Sequence, residues 1–187
     1  EFPEIFKNML TDLKKAKGIY VLLGTGDPAY EAFFREISYQ HHNFVFINGQ
    51  SETVVQSLYN ICNLYLMPSL FEPCGISQML AMRCGNPCLA HNTGGLKDTI
   101  GHQINGFSFD GKTSYQKASN MRKALQEILH IYFNCKDEWN DIKANAKASR
   151  FSWEDAVNDY YRYLYKIPTS NPVIPKNDDL EQKIPAS

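Results

Sequence analysis

The sequence predicts a doubly wound α/β domain, a parallel sheet with helices on both faces. Three observations carry that expectation. Short, wholly apolar segments recur at 19–23, 44–47, 64–67 and 88–90, stretches with apolar residues at three- and four-residue steps lie between them, and Gly, Pro and capping Asp or Ser mark the junctions. Strands that are apolar throughout are buried on both faces, which is what a parallel sheet flanked by helices requires.

The elements follow in chain order. Phe2, Ile5, Phe6, Met9, Leu13 and Ala16 make one helical stripe, and Gly18 is expected to stop it. After strand 19–23, Asp27 and Pro28 suit an N-cap and first helical residue for a stripe of Tyr30, Phe33, Phe34 and Ile37. Strand 44–47 leads to Ser51, which can cap a helix carrying Val54, Val55, Leu58 and Ile61, and strand 64–67 is stopped by Pro68. A helix over 76–83 and strand 88–90 repeat the cycle. Beyond Ser114 no further strand is expected, and helical stretches at 115–133, 137–149 and 153–166 close the domain. The expected organisation is one domain over 1–166 and a flexible, proline-rich tail over 167–187, where four of the nine prolines fall.

Composition narrows the function. With 19 basic and 20 acidic side chains in 187 residues, the net charge of -1 gives no broad field for nucleic acid or an anionic membrane, and neither is expected as a partner. No window approaches the roughly 18 consecutive apolar residues of a spanning helix, and the opening residues lack a signal-peptide core, so a cytosolic protein is expected. The five cysteines are odd in number and lack Cys-x-x-Cys spacing; Cys84 and Cys88 have no second pair to complete a tetrahedral set. They read as reduced thiols, and no metal site is expected.

Open α/β sheets bind ligands in the loops at the carboxyl ends of their strands. Four loops qualify. In Gly24-Thr25-Gly26-Asp27-Pro28 two glycines let a ligand approach the backbone ahead of a helix N-terminus, although a plain turn capped by Asp27 accounts for it equally well. The loop 68–75 puts Glu72 on a proline-stiffened segment: its carboxylate can accept from two sugar hydroxyls, while the amides of Cys74, Gly75 and Ile76 suit a diphosphate. Cys74 itself reads as a packing residue rather than a nucleophile. Thr93-Gly94-Gly95 can let backbone pass close to a phosphate or to the neighbouring loop, and the loop 48–51 carries Gln50 toward the same edge.

These residues resemble a known family. The segment 67–99, MPSLFEPCGISQMLAMRCGNPCLAHNTGGLKDT, is similar to the C-terminal domain of bacterial glycogen synthases and plant starch synthases. LLGTGDP at 22–28 and Phe-Ser-Trp at 151–153 fit the same family, so the resemblance covers about residues 1–166. It implies a Rossmann-like domain of a retaining GT-B glycosyltransferase, moving glucose from ADP-glucose or UDP-glucose to an α-1,4-glucan acceptor without a further cofactor. In that reading Glu72 is the catalytic-site residue on the glucose hydroxyls. Cys74, Gly75 and Ile76 contact the donor, Gly24, Thr25 and Gly26 line its nucleotide side, and Thr93, Gly94 and Gly95 belong to the same donor site. Gln50 stands where the family commonly has an aromatic ring against the base.

The resemblance also implies a partner in the same protein, an N-terminal domain, and an opening strand of the C-terminal domain, neither expected within this chain. The isolated chain is then expected to be inactive, and its home to be the cytoplasm, or a plastid for a plant-type protein. Leu70 stands in place of an arginine and His91-Asn92 in place of an arginine pair, while Leu80, where related enzymes carry a second Glu, agrees with the glycogen and starch group. Two alternatives stay open: a non-catalytic nucleotide-sugar-binding module, and a sugar-nucleotide epimerase of the same architecture.

Overall fold

A computed structural model describes residues 2–166, the Phe2 side chain apart. The expected tail over 167–187 lies outside the described residues. The elements are α1 (Phe2–Lys15), β1 (Tyr20–Gly24), α2 (Pro28–Gln40), β2 (Phe44–Asn48), α3 (Glu52–Ile61), β3 (Tyr65–Met67), α4 (Ser77–Arg83), β4 (Cys88–His91), α5 (Leu96–Thr99), β5 (Gly106–Phe109), α6 (Ser114–Asn134), α7 (Lys136–Ala148) and α8 (Trp153–Asp159), which runs into a π-helical turn at Tyr160–Leu164. No helix among the described residues is long and apolar enough to cross a membrane.

The described residues fall into two units that divide after Ser149, inside the expected domain 1–166. In the second unit Ser152 caps α8, its hydroxyl accepting from the Asp155 amide at 3.1 Å. The expected helix over 153–166 is therefore α8 and the π turn.

In the first unit every strand pair is parallel. β1 lies beside β2 with Tyr20 opposite Phe44 and Gly24 opposite Asn48. β4 lies between β3 and β5, with Met67 opposite Ala90 and His91 opposite Phe109. The α/β wind is as expected, but the sheet consists of a two-stranded and a three-stranded ladder, because β1 and β3 do not bond to each other.

Burial follows the strand period of two. On β4, Cys88 and Ala90 pack with Met67, Ala81, Met82 and Leu96, while Leu89 packs on the other face with Phe107, Leu125, Ile128 and Trp139. The β1–β2 ladder has an aromatic cover on one face, where Phe6 meets Phe44 edge-on at 5.3 Å, and Val45 of β2 is exposed. Arg122 of α6 donates to Asp12 of α1 at 2.8 Å. Burial alone would raise the Asp12 carboxyl, but hydrogen bonds from Arg122 and Gln126 and the guanidinium charge hold it below its ordinary value.

Two local expectations change. Lys17, at φ 55°, takes the left-handed position that ends α1, and Gly18 follows it, donating to the Leu13 carbonyl at 2.8 Å. Gly18 is small for a packing reason, since a Cβ there would lie 3.1 Å from Leu13 Cδ2. The strand β5 was not expected. Its sequence, Gly-Phe-Ser-Phe, breaks the apolar run, and Gly106 is required because a Cβ would meet the Cys88 carbonyl at 2.8 Å.

Candidate functional site

β3 and β4 are neighbours, so the loops at their carboxyl ends leave side by side. They cross in contact. The Gly95 amide donates to the Glu72 carbonyl at 3.0 Å, a Cβ on Gly94 would overlap that same oxygen, and one on Gly95 would come within 2.6 Å of the Cys74 carbonyl. Gly94 also sits at φ 48°, where a side chain is strained. Of the two roles open to Thr93-Gly94-Gly95, the structure shows the passage against the neighbouring loop.

That crossing is one of three anchors on the Glu72 loop. His91, buried at the end of β4, hydrogen-bonds through Nδ1 to the Ser69 carbonyl at 2.8 Å. Its Nε2 lies 3.8 Å from an Asp110 carboxylate oxygen. Gln78, buried in α4, donates from Nε2 to the carbonyls of Gly75 at 2.7 Å and Cys74 at 3.1 Å. Gly75 needs its φ of 79° and has no room for a Cβ against the Gln78 amide.

Held this way, the loop presents Glu72 half-buried, its carboxylate without a side-chain partner among the described residues. Leu70, Phe71 and Ile76 stand exposed around it. The expected helix start at Ile76 moves on by one residue. α4 begins at Ser77 and spans seven residues, and Ile76 is its N-cap without a side-chain cap. The dipole available at this end is thus that of a helix of two turns, and the amides of Cys74, Gly75 and Ile76 belong to the loop before it. Cys74, expected to be a packing residue, is instead exposed, and its thiol lies 3.9 Å from the Gly75 carbonyl.

The second cluster stands at the carboxyl ends of β1 and β2. Asp27 caps α2 as expected, accepting from the Ala29 amide at 2.8 Å. Glu31, one turn into the helix, reaches back: one oxygen accepts from the Gly26 amide and the other from the Asn48 side chain, each at 2.8 Å. Those two hydrogen bonds, with the nearby Arg35 charge, hold the Glu31 carboxyl below its ordinary value. The Gly26 amide is therefore taken. Space is not: a Cβ on Gly24 or Gly26 would have nothing within 4 Å, and neither glycine has a left-handed φ. Thr25 and Gln50 are exposed at the same rim.

The structure thus brings Glu72, Cys74, Gly75 and Ile76 together with Thr93, Gly94 and Gly95, and separately joins Gly24, Thr25 and Gly26 to the loop that carries Gln50. Sequence reasoning missed Gln78 and Glu31. For Gln78 the signal was a polar residue at helical spacing from Ala81 and Met82, both buried; Glu31 offered none, since an acid in a first helical turn is ordinary.

A parallel, doubly wound Rossmann-like unit with its loop clusters at the carboxyl ends of the strands defines the class. The chain belongs to the glycosyl transferases group 1 family, which matches residues 4–148. A glycogen synthase of Streptococcus pneumoniae strain Hungary19A-6 is 40% identical over 154 residues, covering 79% of this chain and 31% of that protein. The strain D39 glycogen synthase matches at 40% over 155 residues. The chain spans about a third of the length of the curated relatives it matches. Among solved structures, the catalytic domain of starch synthase IV from Arabidopsis thaliana, bound to ADP and acarbose, has a TM-score of 0.71 at 24% identity over 89% of this chain and 36% of its own. The pneumococcal O-GlcNAc transferase GtfA, in complex with UDP and GlcNAc, has a TM-score of 0.65 at 17% identity over 86% of this chain and 32% of its own. These likenesses give the fold, that of one domain of a GT-B glycosyltransferase.

Proposed function

We propose that the chain is the donor-binding part of a retaining glucosyltransferase of the glycogen and starch synthase kind, taking ADP-glucose or UDP-glucose and serving an α-1,4-glucan acceptor. The observation that supports this reading most is Glu72. A carboxylate that is half-buried, unpartnered among the described residues and fixed by the Gly95, His91 and Gln78 contacts is in place for two vicinal hydroxyls of a sugar. The Cys74, Gly75 and Ile76 amides beside it suit the diphosphate. The open ground over Gly24, Thr25 and Gly26 suits the nucleoside, with Gln50 at the base. The curated glycogen synthases support glucose as the sugar, and the missing walls of the cleft would come from a further domain.

Calorimetric titration of the chain and of Glu72→Gln with ADP and with ADP-glucose tests the assignment. ADP should bind both proteins alike, and the added affinity contributed by glucose should vanish in the variant. Equal loss for both ligands, or no loss, removes Glu72 from the sugar. The chain by itself should elongate no glucan, because holding acceptor and donor together between two walls can account for about 7–11 kcal/mol of barrier lowering.

A further inference from the structure

Gln78 is held in a way that packing alone does not explain. It has no exposed surface, yet its Oε1 finds no hydrogen-bond partner among the described residues. A buried polar atom without a partner costs stability, and an apolar side chain of the same length would avoid that cost. The other end of the amide is fully engaged. Its two Nε2 protons face three acceptors, the carbonyls of Cys74 and Gly75 and the Thr99 hydroxyl at 3.4 Å. A turned-over amide would set Oε1 against both carbonyls, so the donor end must face the loop. A Cβ on Gly75 would lie 2.7 Å from Nε2, and the amide group thus fills the place of a Gly75 side chain.

The consequence falls on the opposite edge of each peptide group. A trans peptide is planar, with its N–H pointing away from its C=O. Drawing the Cys74 carbonyl onto Gln78 therefore turns the Gly75 amide the other way, and drawing in the Gly75 carbonyl does the same to the Ile76 amide. Neither amide finds an acceptor among the described residues. For Gly75 that is unusual, because the residue is buried between exposed Cys74 and Ile76, and a buried backbone N–H is almost always paired. The backbone also alternates in hand here, with Gly75 at φ 79° and Ile76 at φ -102°, ψ -33°. Successive amides in such an alternation form a concavity that suits an anion.

We propose that Gln78 is the positioning residue of this loop: by holding the Cys74 and Gly75 carbonyls inward, it aims the Gly75 and Ile76 amides outward as a pair, toward the diphosphate of the donor. The proposal rests on the donor reading for the nature of the anion, and it adds the side chain that sets the direction of the amides. Gln78 itself touches no ligand. Its contact with Thr99, whose hydroxyl donates to the Gly95 carbonyl at 3.0 Å, carries the same hold to the neighbouring loop. The unpaired Oε1 is then the stability given up for that aim.

The probe is inorganic pyrophosphate, added to the 187-residue chain and to Gln78→Met, with amide NMR as the readout. In the parent it should shift Gly75 and Ile76. The variant keeps the length of the side chain without its donor, so binding should weaken at least tenfold, about 1.4 kcal/mol. The residual dipolar couplings of the Gly75 and Ile76 N–H groups should change with it, while those of α6 and α7 hold. Gln78→Glu, whose carboxylate repels both carbonyls, should show the same loss. The parent also carries a test that needs no variant: the Gln78 side-chain amide protons should exchange slowly, and fast exchange overturns the hold on the loop. Pyrophosphate that leaves both backbone amides unmoved in the parent overturns the proposal, as do variants that bind it equally well. Weaker binding with unchanged N–H directions overturns it too, since Gln78 would then act by packing. A chain that takes pyrophosphate at these amides but binds ADP-glucose no more tightly fails the donor reading and leaves the Gln78 result standing.

Discussion

Two loops of this chain carry a Gly-x-Gly or Gly-Gly pattern at a strand end, and they use their glycines for opposite reasons. In Thr93-Gly94-Gly95 the missing Cβ atoms are filled by protein: the Glu72 and Cys74 backbone occupies the places where those atoms would stand. In Gly24-Thr25-Gly26 nothing occupies them, and neither glycine adopts a left-handed φ. The first pair is thus accounted for by the fold alone. The second is left without an internal reason, and an external group that must approach the backbone is the reason the donor reading supplies. A glycine motif becomes a binding signal when packing fails to explain it.

The largest expected effect breaks the packed side. Gly94→Ala forces a methyl onto the Glu72 carbonyl at a left-handed φ, and overpacking with strain together should cost on the order of 3 kcal/mol. Thermal melting should fall by about 6–12 °C in a chain of this size. A melting point within a degree or two of the parent would mean that the two loops do not cross as described.

Next in size is the anchor under the crossing. His91→Phe keeps the ring but removes the hydrogen bond to the half-buried Ser69 carbonyl, which should cost about 0.5–1.5 kcal/mol. Amide shifts on going from parent to variant should concentrate at 68–76. Shifts spread through α6 instead would assign His91 to the core.

Gly26→Ala sharpens the other side of the comparison. With open space and an ordinary φ, the change should leave stability the same or raise it by about 0.4–1 kcal/mol through the unfolded chain, while lowering affinity for ADP. Loss of stability with unchanged ADP affinity would reverse the roles assigned to the two loops.

The smallest effect is acid sensitivity at the open loop. The folded Glu31 carboxyl lies below its unfolded value of 4.5, so its hydrogen bonds to Gly26 and Asn48 stabilise fully above that value and are lost as pH falls through the lower folded value. Asp12, lowered from 3.8, acts in the same direction. Urea midpoints from about pH 5 to 3 should fall less steeply for Glu31→Gln than for the parent. Identical slopes would mean that the Glu31 bridge does not hold in solution.

Much of this was legible in the sequence because burial on both faces leaves an unbroken apolar run. Residues 19–23, 44–47 and 88–90 each mark a strand to within a residue or two, and Asp27 and Ser51 cap α2 and α3 where a short polar side chain precedes the helix. β5 escaped because Gly106 answers to the closeness of Cys88, a tertiary fact that reads locally as a break. The division of the sheet was equally hidden: pairing of β1 with β2, and its absence toward β3, is a matter of edges that no strand sequence states. At the site, Glu72 and the glycines were visible as residue types. What was not visible is which atoms they face, so the bond from the Gly26 amide to Glu31 and the hold of Gln78 on Gly75 emerged only from the folded loops.

Amide NMR of the chain titrated with ADP-glucose bears most directly on the central claim, that one ligand bridges the open glycine loop and the Glu72 loop. The account predicts weak binding, with shifts at Gly24, Thr25 and Gly26 and at Glu72, Cys74, Gly75 and Ile76 that saturate together along one binding curve. Shifts confined to α6 and α7, or two loops that titrate with separate affinities, would contradict it.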